Sequence, residues 1–190
     1  MNRERIMKVF EKSGVLMEGH FLLTSGRHSN QYMQCAKVFQ YPEYTQELVE
    51  VLALAFEDEQ VDIVVGPAIG GIILAYEMAR CLGSKNVFAE RENGVMSLRR
   101  GFQISKGSRV LIVEDVITTG GSVKEVMKLV KGLGGDIVGL GALVDRTGGN
   151  IDFGVKLHSL LDLDIKSYEA SNCPLCARDI PIVKPGSRKI

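Results

Sequence analysis

The stretch V-L-I-V-E-D-V-I-T-T-G-G-S-V-K-E, residues 110–125, decides how the chain is read. Its opening run, 110–113, is apolar and rich in β-branched residues, the mark of a buried parallel strand. Two acids follow, Glu114 and Asp115. After Val116 and Ile117 comes a hydroxyl- and glycine-rich turn: Thr118, Thr119, Gly120, Gly121 and Ser122. Val123, Val126, Met127, Val130 and Leu133 then recur at helical spacing, and Lys124, Lys128 and Lys131 fall off that stripe. Ser122 and Glu125 fit the S-x-x-E capping box. The pattern predicts strand, turn and helix in direct succession, with the turn at a helix N-terminus. Free backbone N–H groups and the positive dipole end attract an anion there.

The two acids narrow the choice of anion. Carboxylates beside a phosphate repel it unless something neutral and hydroxylated lies between. A ribose 5-phosphate has that layout, with its phosphate in the nest and its diol over the carboxylates. The stretch is not a Walker loop, because G-x-x-x-x-G-K-[ST] is absent, and it lacks the G-x-G-x-x-G dinucleotide fingerprint. An ordinary corner with solvated acids is the plainer alternative. The strand, acid pair, nest and helix in one register favour ribose-phosphate binding.

Outward from this stretch the chain alternates strands and helices. A strand is expected at 61–65, a loop of Gly66, Pro67, Ala68, Ile69, Gly70 and Gly71, and a helix at 72–82 with Ile72, Ile73, Tyr76 and Ala79 inward. Residues 87–89 read as a short strand, 91–102 as polar and irregular, and 137–144 and 157–163 as further strands. This alternation predicts an α/β fold: an open, mainly parallel sheet with helices on both faces. Ligands in such sheets sit outside the carboxyl ends of the strands, so loops 66–71, 114–122 and 145–149 should converge. Before the repeats come a helix at 3–12, two short strands around the turn cluster 24–30, and a helix after Pro42 carrying Leu48, Val51, Leu52 and Ala55. The reading is a single domain: a hood at about 1–36 over the site, an α/β core at about 37–165, and a tail at 166–190.

Composition sets the class. Lys plus Arg number 23 and Asp plus Glu number 23, so the formal charge is zero and nothing draws the chain generally to nucleic acid or anionic membrane. No apolar run reaches a membrane span and no signal-peptide core follows the polar start, so the cytosol is expected. The four cysteines do not make a disulfide framework. Cys173-x-x-Cys176 is half of a zinc site at best, Cys35 and Cys81 show no matching spacing, and two thiols in a tail turn are the plainer reading. No side chain is assigned to a metal. His20 reads as a polar turn residue, and His28 is left open.

Other residues suggest the rest of a site. Ala68, Ile69 and Gly70 belong to a second nest suited to a diphosphate, so the two nests and the acids together describe phosphoribosyl pyrophosphate. Arg146, at a strand end, offers a fork for a carboxylate, and Thr118 could hold the same group from the nest side. Arg91, Arg99 and Arg100 could neutralise a departing pyrophosphate. Gly94 and Gly101 would let their segment move as a lid.

The central stretch resembles the signature of the type I phosphoribosyltransferases. Within them, Phe21 to Ser29 with Tyr32 just after resembles the hood of the orotate enzymes, and Asp145-Arg146 resembles their base-site motif. The C-P-L-C tail and the Arg99-Arg100 pair are similar to a bacterial branch that includes thermophile sequences, and the match spans nearly the whole chain. That resemblance implies transfer of phosphoribose to orotate with Mg2+, orotate contacts from Thr118, Arg146, Tyr32 and Ser25, and a homodimer whose arginine loop reaches the neighbouring subunit. Two features depart from many orotate enzymes: Thr24 stands where they carry lysine, and Arg91 is followed by Glu92 with no Lys-x-His in the 91–102 segment. A purine phosphoribosyltransferase is the nearest rival. A non-catalytic regulator that senses phosphoribosyl pyrophosphate while binding nucleic acid is the other, and it expects a basic face that balanced charge does not provide.

Overall fold

A computed structural model describes residues 2–23 and 25–185. Thr24 and the basic end, 186–190, lie outside the described residues. In chain order the elements are α1 (Arg3–Lys12), β1 (Leu16–Leu22), β2 (His28–Met33), α2 (Pro42–Ala53), β3 (Ile63–Pro67), α3 (Gly70–Leu82), β4 (Lys85–Glu92), β5 (Val95–Leu98), β6 (Arg109–Ile117), α4 (Gly121–Gly132), β7 (Asp136–Asp145) and β8 (Leu157–Asp162). β1 and β2 pair antiparallel as a separate two-stranded sheet. The other six strands form one sheet in the order β5-β4-β3-β6-β7-β8. Every neighbouring pair in it is parallel except β4–β5 at the edge.

Period-two alternation along the central strands builds a core on each face. Val64, Leu111 and Val113 point to the side covered by α1, α2 and α3. Ile63, Val65, Val110 and Ile112 point to the other, where Val123, Val126, Met127 and Val130 of α4 cover them. Burial on both faces is why 110–113 is continuously apolar rather than alternating. The expected open sheet with helices on both faces is therefore present.

Several local expectations change. Residues 91–102 are not irregular: β4 runs on to Glu92, turns at Asn93 and Gly94, and returns as β5. Both turn residues have positive φ, 50° and 82°, as a two-residue I′ hairpin requires. On α3 the inward stripe is Gly71, Leu74, Ala75, Met78 and Ala79, while Ile73 and Tyr76 face outward. Helix α2 stops at Ala53, and a 3-10 turn at Leu54–Phe56 buries Phe56 in place of Ala55.

Beyond β8 the tail runs back to the hood. Tyr168 and His28 exchange two backbone hydrogen bonds of 2.8 Å. Val183 donates to the His20 carbonyl and accepts from the Leu22 N–H, each at 2.8 Å. Arg27 reinforces the join by donating from Nε to Ser167 Oγ and from Nη2 to its carbonyl, both 2.8 Å, and by pairing with Glu169.

Candidate active site

Glu114 and Asp115 lie in the last half of β6, past its pairing with β3 at Ile112 and still beside β7, and α4 begins directly after Thr118, Thr119 and Gly120. The N-cap of α4 is Gly120, at φ 69°, with no side-chain cap. The expected capping box is absent, because the helix starts two residues earlier and Ser122 is already inside it; Glu125 instead accepts from Arg91 Nε at 3.1 Å and Nη2 at 2.9 Å. The first bond into the helix runs from Lys124 N–H to the Gly120 carbonyl at 2.9 Å. The preceding amides, at Gly121, Ser122 and Val123, are thus left over for a ligand. A glycine cap keeps that mouth clear of side chain. Glycine is also required by space, since a Cβ at Gly120 would lie 2.9 Å from the Phe153 ring.

These residues line a cavity of about 750 Å3. Its walls include Glu114, Asp115, Val116, Ile117, Thr118, Thr119, Gly120, Gly121 and Ser122 on one side and Ala68, Ile69 and Gly70 on the other. Leu22 and Tyr32 of the hood, Gln34, and Arg91 from β4 also contribute. Gly70 approaches the acids so closely that a Cβ there would stand 2.8 Å from Asp115 Oδ2. The Ala68 N–H is already committed to the Ala89 carbonyl at 2.7 Å. Ala68 therefore contributes a wall and not a donor, and the second nest rests on the start of α3.

Burial and the neighbouring charge of Asp115 push the Glu114 carboxyl up to about 9. Burial raises Asp115 as well, although its Oδ1 accepts from Val116 N–H at 2.9 Å. Burial thus makes ionisation of this adjacent pair costlier than in water, and positive charge or hydroxyl donors beside it would lower that cost.

Arg146 follows β7 next to the hood. Its N–H donates to the Ile117 carbonyl at 2.8 Å, which ties the base loop to the end of β6. Burial lowers the proton affinity of its side chain, and the neighbouring Cys35, Tyr32 and Asp164 offset this in part. Its Nε is buried with no hydrogen-bond partner among the described residues. Asp145 does not pair with it: both Asp145 oxygens accept from Thr147, at 2.7 Å and 3.1 Å.

Four expected site residues are not part of the cavity wall: Arg146, which lies behind it beside Tyr32, and Ser25, Arg99 and Arg100. Ser25 is exposed near the hood tip and is not part of the cavity wall. Arg99 and Arg100 are also outside the wall, held on the hairpin by Glu92 at 3.4 Å and Glu90 at 3.2 Å. Arg100 also lies 5.6 Å from the Phe88 ring centroid. Conversely, Lys184 and Pro185 line the cavity, which the sequence did not suggest. A tail placed more than 150 residues from the hood in sequence leaves no local signal of its return.

Comparison with known proteins gives one direction. The phosphoribosyl transferase domain family matches residues 37–152. The orotate phosphoribosyltransferase of Caldanaerobacter subterraneus subsp. tengcongensis is 59% identical over 190 residues, covering 100% of both chains. That of Thermotoga maritima is 54% identical over 183 residues, covering 96% of this chain and 98% of its own. Among solved structures, orotate phosphoribosyltransferase from Aeropyrum pernix superposes with a TM-score of 0.72 at 26% identity, over 83% of this chain and 93% of that one. An adenine phosphoribosyltransferase from Rhodothermus marinus reaches 0.70 at 23% identity, over 85% of this chain and 100% of that one, so the fold alone does not separate the bases. Full-length identity above one half does separate them, and the chain belongs to the orotate phosphoribosyltransferase family.

Proposed function

We propose that the chain transfers the 5-phosphoribosyl group from phosphoribosyl pyrophosphate to a ring nitrogen of orotate, giving orotidine 5′-phosphate and pyrophosphate in de novo pyrimidine synthesis. The observation that carries this reading is the acid pair at the end of β6, directly below the free amides of α4 in one cavity. The 5-phosphate sits on the amides of Gly121, Ser122 and Val123, and Glu114 and Asp115 take the ribose hydroxyls. Ala68, Ile69 and Gly70 border the diphosphate.

Displacement at the anomeric carbon is dissociative. As the C–O bond to pyrophosphate lengthens, positive charge grows on the ribose ring, and the buried carboxylates below it stabilise that charge. Arg91, held in place by Glu125, presents a cation toward the departing diphosphate. Arg146 directs its unpartnered Nε to the orotate carboxylate, and Tyr32 and Thr118 border the same base. Catalysis is by positioning and electrostatics, with no covalent protein intermediate.

Mg2+ fits the donor set. Glu114 and Asp115 are hard oxygen donors side by side in the cavity wall, and Mg2+ is held by one or two carboxylates together with substrate phosphates. When bound, it supplies charge neutralisation to the diphosphate.

A homodimer completes the reading. Ile69, Ile73 and Tyr76 are exposed on one side of α3, with Ile69 and Ile73 at the cavity edge. A second copy covering this stripe brings its own β4–β5 hairpin, with Arg99 and Arg100, toward the neighbouring cavity.

The test is spectrophotometric: orotate consumption with phosphoribosyl pyrophosphate and Mg2+, against adenine, hypoxanthine, guanine and xanthine. Orotate should be consumed and the purines left untouched. Turnover of a purine in place of orotate would reverse the assignment.

A further inference from the structure

Four side chains outside the catalytic cavity converge on one point. His20 and His28 come from the hood, and Cys173 and Cys176 from the tail. Their ligand atoms, His20 Nε2, His28 Nδ1 and the two Sγ atoms, all lie within 4.8 Å of one another. His20 and His28 are buried, as is Cys173, and Cys176 opens to solvent.

Local structure aims each of them. Register between β1 and β2 slips between Glu18 and Phe21. Such a bulge re-aims a side chain, and here His20 and Phe21 are buried in succession where a regular strand would alternate. Gly19 makes room for it, since a Cβ there would meet the Phe21 ring at 3.0 Å. The tail brings both cysteines round in a tight turn, closed by Ala177 N–H to the Cys173 carbonyl at 3.1 Å.

Hydrogen bonding among the four does not account for the cluster. His20 Nδ1 lies 2.7 Å from the Ile180 carbonyl oxygen. A carbonyl only accepts, so Nδ1 carries the proton and Nε2 is a bare lone pair. Three atoms crowd toward that single acceptor: His28 Nδ1 at 2.9 Å, Cys173 Sγ at 3.6 Å and Cys176 Sγ at 3.8 Å. Cys176 Sγ is also 3.2 Å from His28 Nδ1. One lone pair cannot take three hydrogens, whereas a cation at the centre uses all four atoms at once. Metal–nitrogen bonds of about 2.0–2.1 Å and metal–sulfur bonds of about 2.3 Å give tetrahedral edges of about 3.3–3.8 Å, and the observed separations straddle that range. The carbonyl that fixes the His20 tautomer is the usual outer partner of a metal-bound imidazole.

We propose that His20, His28, Cys173 and Cys176 are the ligands of a tetrahedral Cys2His2 zinc site that ties the tail to the hood. Two thiolates and two imidazoles in this geometry select zinc over the oxygen-seeking Mg2+ of the catalytic cavity. Four protein ligands leave no open position for substrate water, so the site is structural. It joins segments that are also held by backbone pairs at Tyr168 and Val183 and by the Arg27 side chain. Lys184 and Pro185, immediately beyond, line the catalytic cavity. The zinc thus sets the position of the tail at the rim of that cavity.

The experiment is elemental analysis of the full chain after equilibration with Zn2+ and dialysis, followed by Co2+ substitution. One zinc per chain is expected, as is an intense visible Co2+ band with thiolate-to-metal charge transfer. Chelation should lower the thermal midpoint of the wild type and leave that of Cys176→Ser unchanged. Cys173→Ser and Cys176→Ser should lose the metal, and Cys81→Ser on α3 should keep it. Three results would overturn the proposal: wild-type protein well below stoichiometry, a Co2+ spectrum without the thiolate band, or a Cys173→Ser/Cys176→Ser double variant that still binds one zinc. Because metal content and the cobalt spectrum are read on unmodified protein, a variant that fails to fold does not decide the outcome.

Discussion

Arg146 keeps a buried Nε without an acceptor among the described residues, while its neighbour Asp145 is occupied by Thr147. A buried guanidinium in that state contributes little to folding and is ready for an anion. Arg146→Ala should therefore lower kcat/KM for orotate roughly 10- to 150-fold, the worth of a charge-assisted hydrogen bond, while the thermal midpoint stays or rises. Steady-state kinetics beside a melting curve check both halves. Glu114 gives the complementary case. Its folded-state proton affinity lies above the ordinary carboxyl value of 4.5, at about 9. That stabilisation is complete below the unfolded value and is lost as pH climbs toward 9. Glu114→Gln should therefore melt above the wild type by a margin that widens from pH 5 to pH 9, about 2–4 °C for each kcal/mol in a chain of this size. Its turnover should lie below that of the wild type throughout the same range. A constant margin across pH would remove the buried-acid account.

At the level of elements, the mouth of α4 depends on Gly120. Its φ of 69° is left-handed and a Cβ would press on Phe153. Gly120→Ala should cost about 1–2 kcal/mol from the backbone alone, seen as a lower thermal midpoint, and should raise the KM for phosphoribosyl pyrophosphate as the amides are displaced. What is legible in the sequence follows the same line. The run 110–113, the acids and the glycine turn are local, so the strand, the nest and the open sheet can be read from the order of residues. The β4–β5 hairpin is hidden because charged residues mask its alternation, although Asn93-Gly94 is a strong hairpin signal. On α3, Ile73 and Tyr76 look like core by hydrophobicity, but Gly71, Leu74, Ala75 and Met78 fit the tighter space against the sheet. The metal ligands are illegible for a different reason: each half is uninformative until the chain brings positions 20 and 173 together.

For the whole molecule, the outward stripe of Ile69, Ile73 and Tyr76 predicts self-association. Tyr76→Glu should halve the mass seen by light scattering and depress turnover with it, because the neighbouring hairpin would be lost. An unchanged mass would place the interface elsewhere. β6 is clamped by a parallel partner on each flank, β3 and β7, and both layers of the core grip its side chains. The acids proposed to hold the ribose therefore stand on the strand most enclosed by the core, whereas Tyr32 reaches the cavity from the hood. Exchanging hood and tail together, as one cassette, should change how tightly the heterocycle is held under Tyr32, while the ribose machinery and the Arg146 fork run as before.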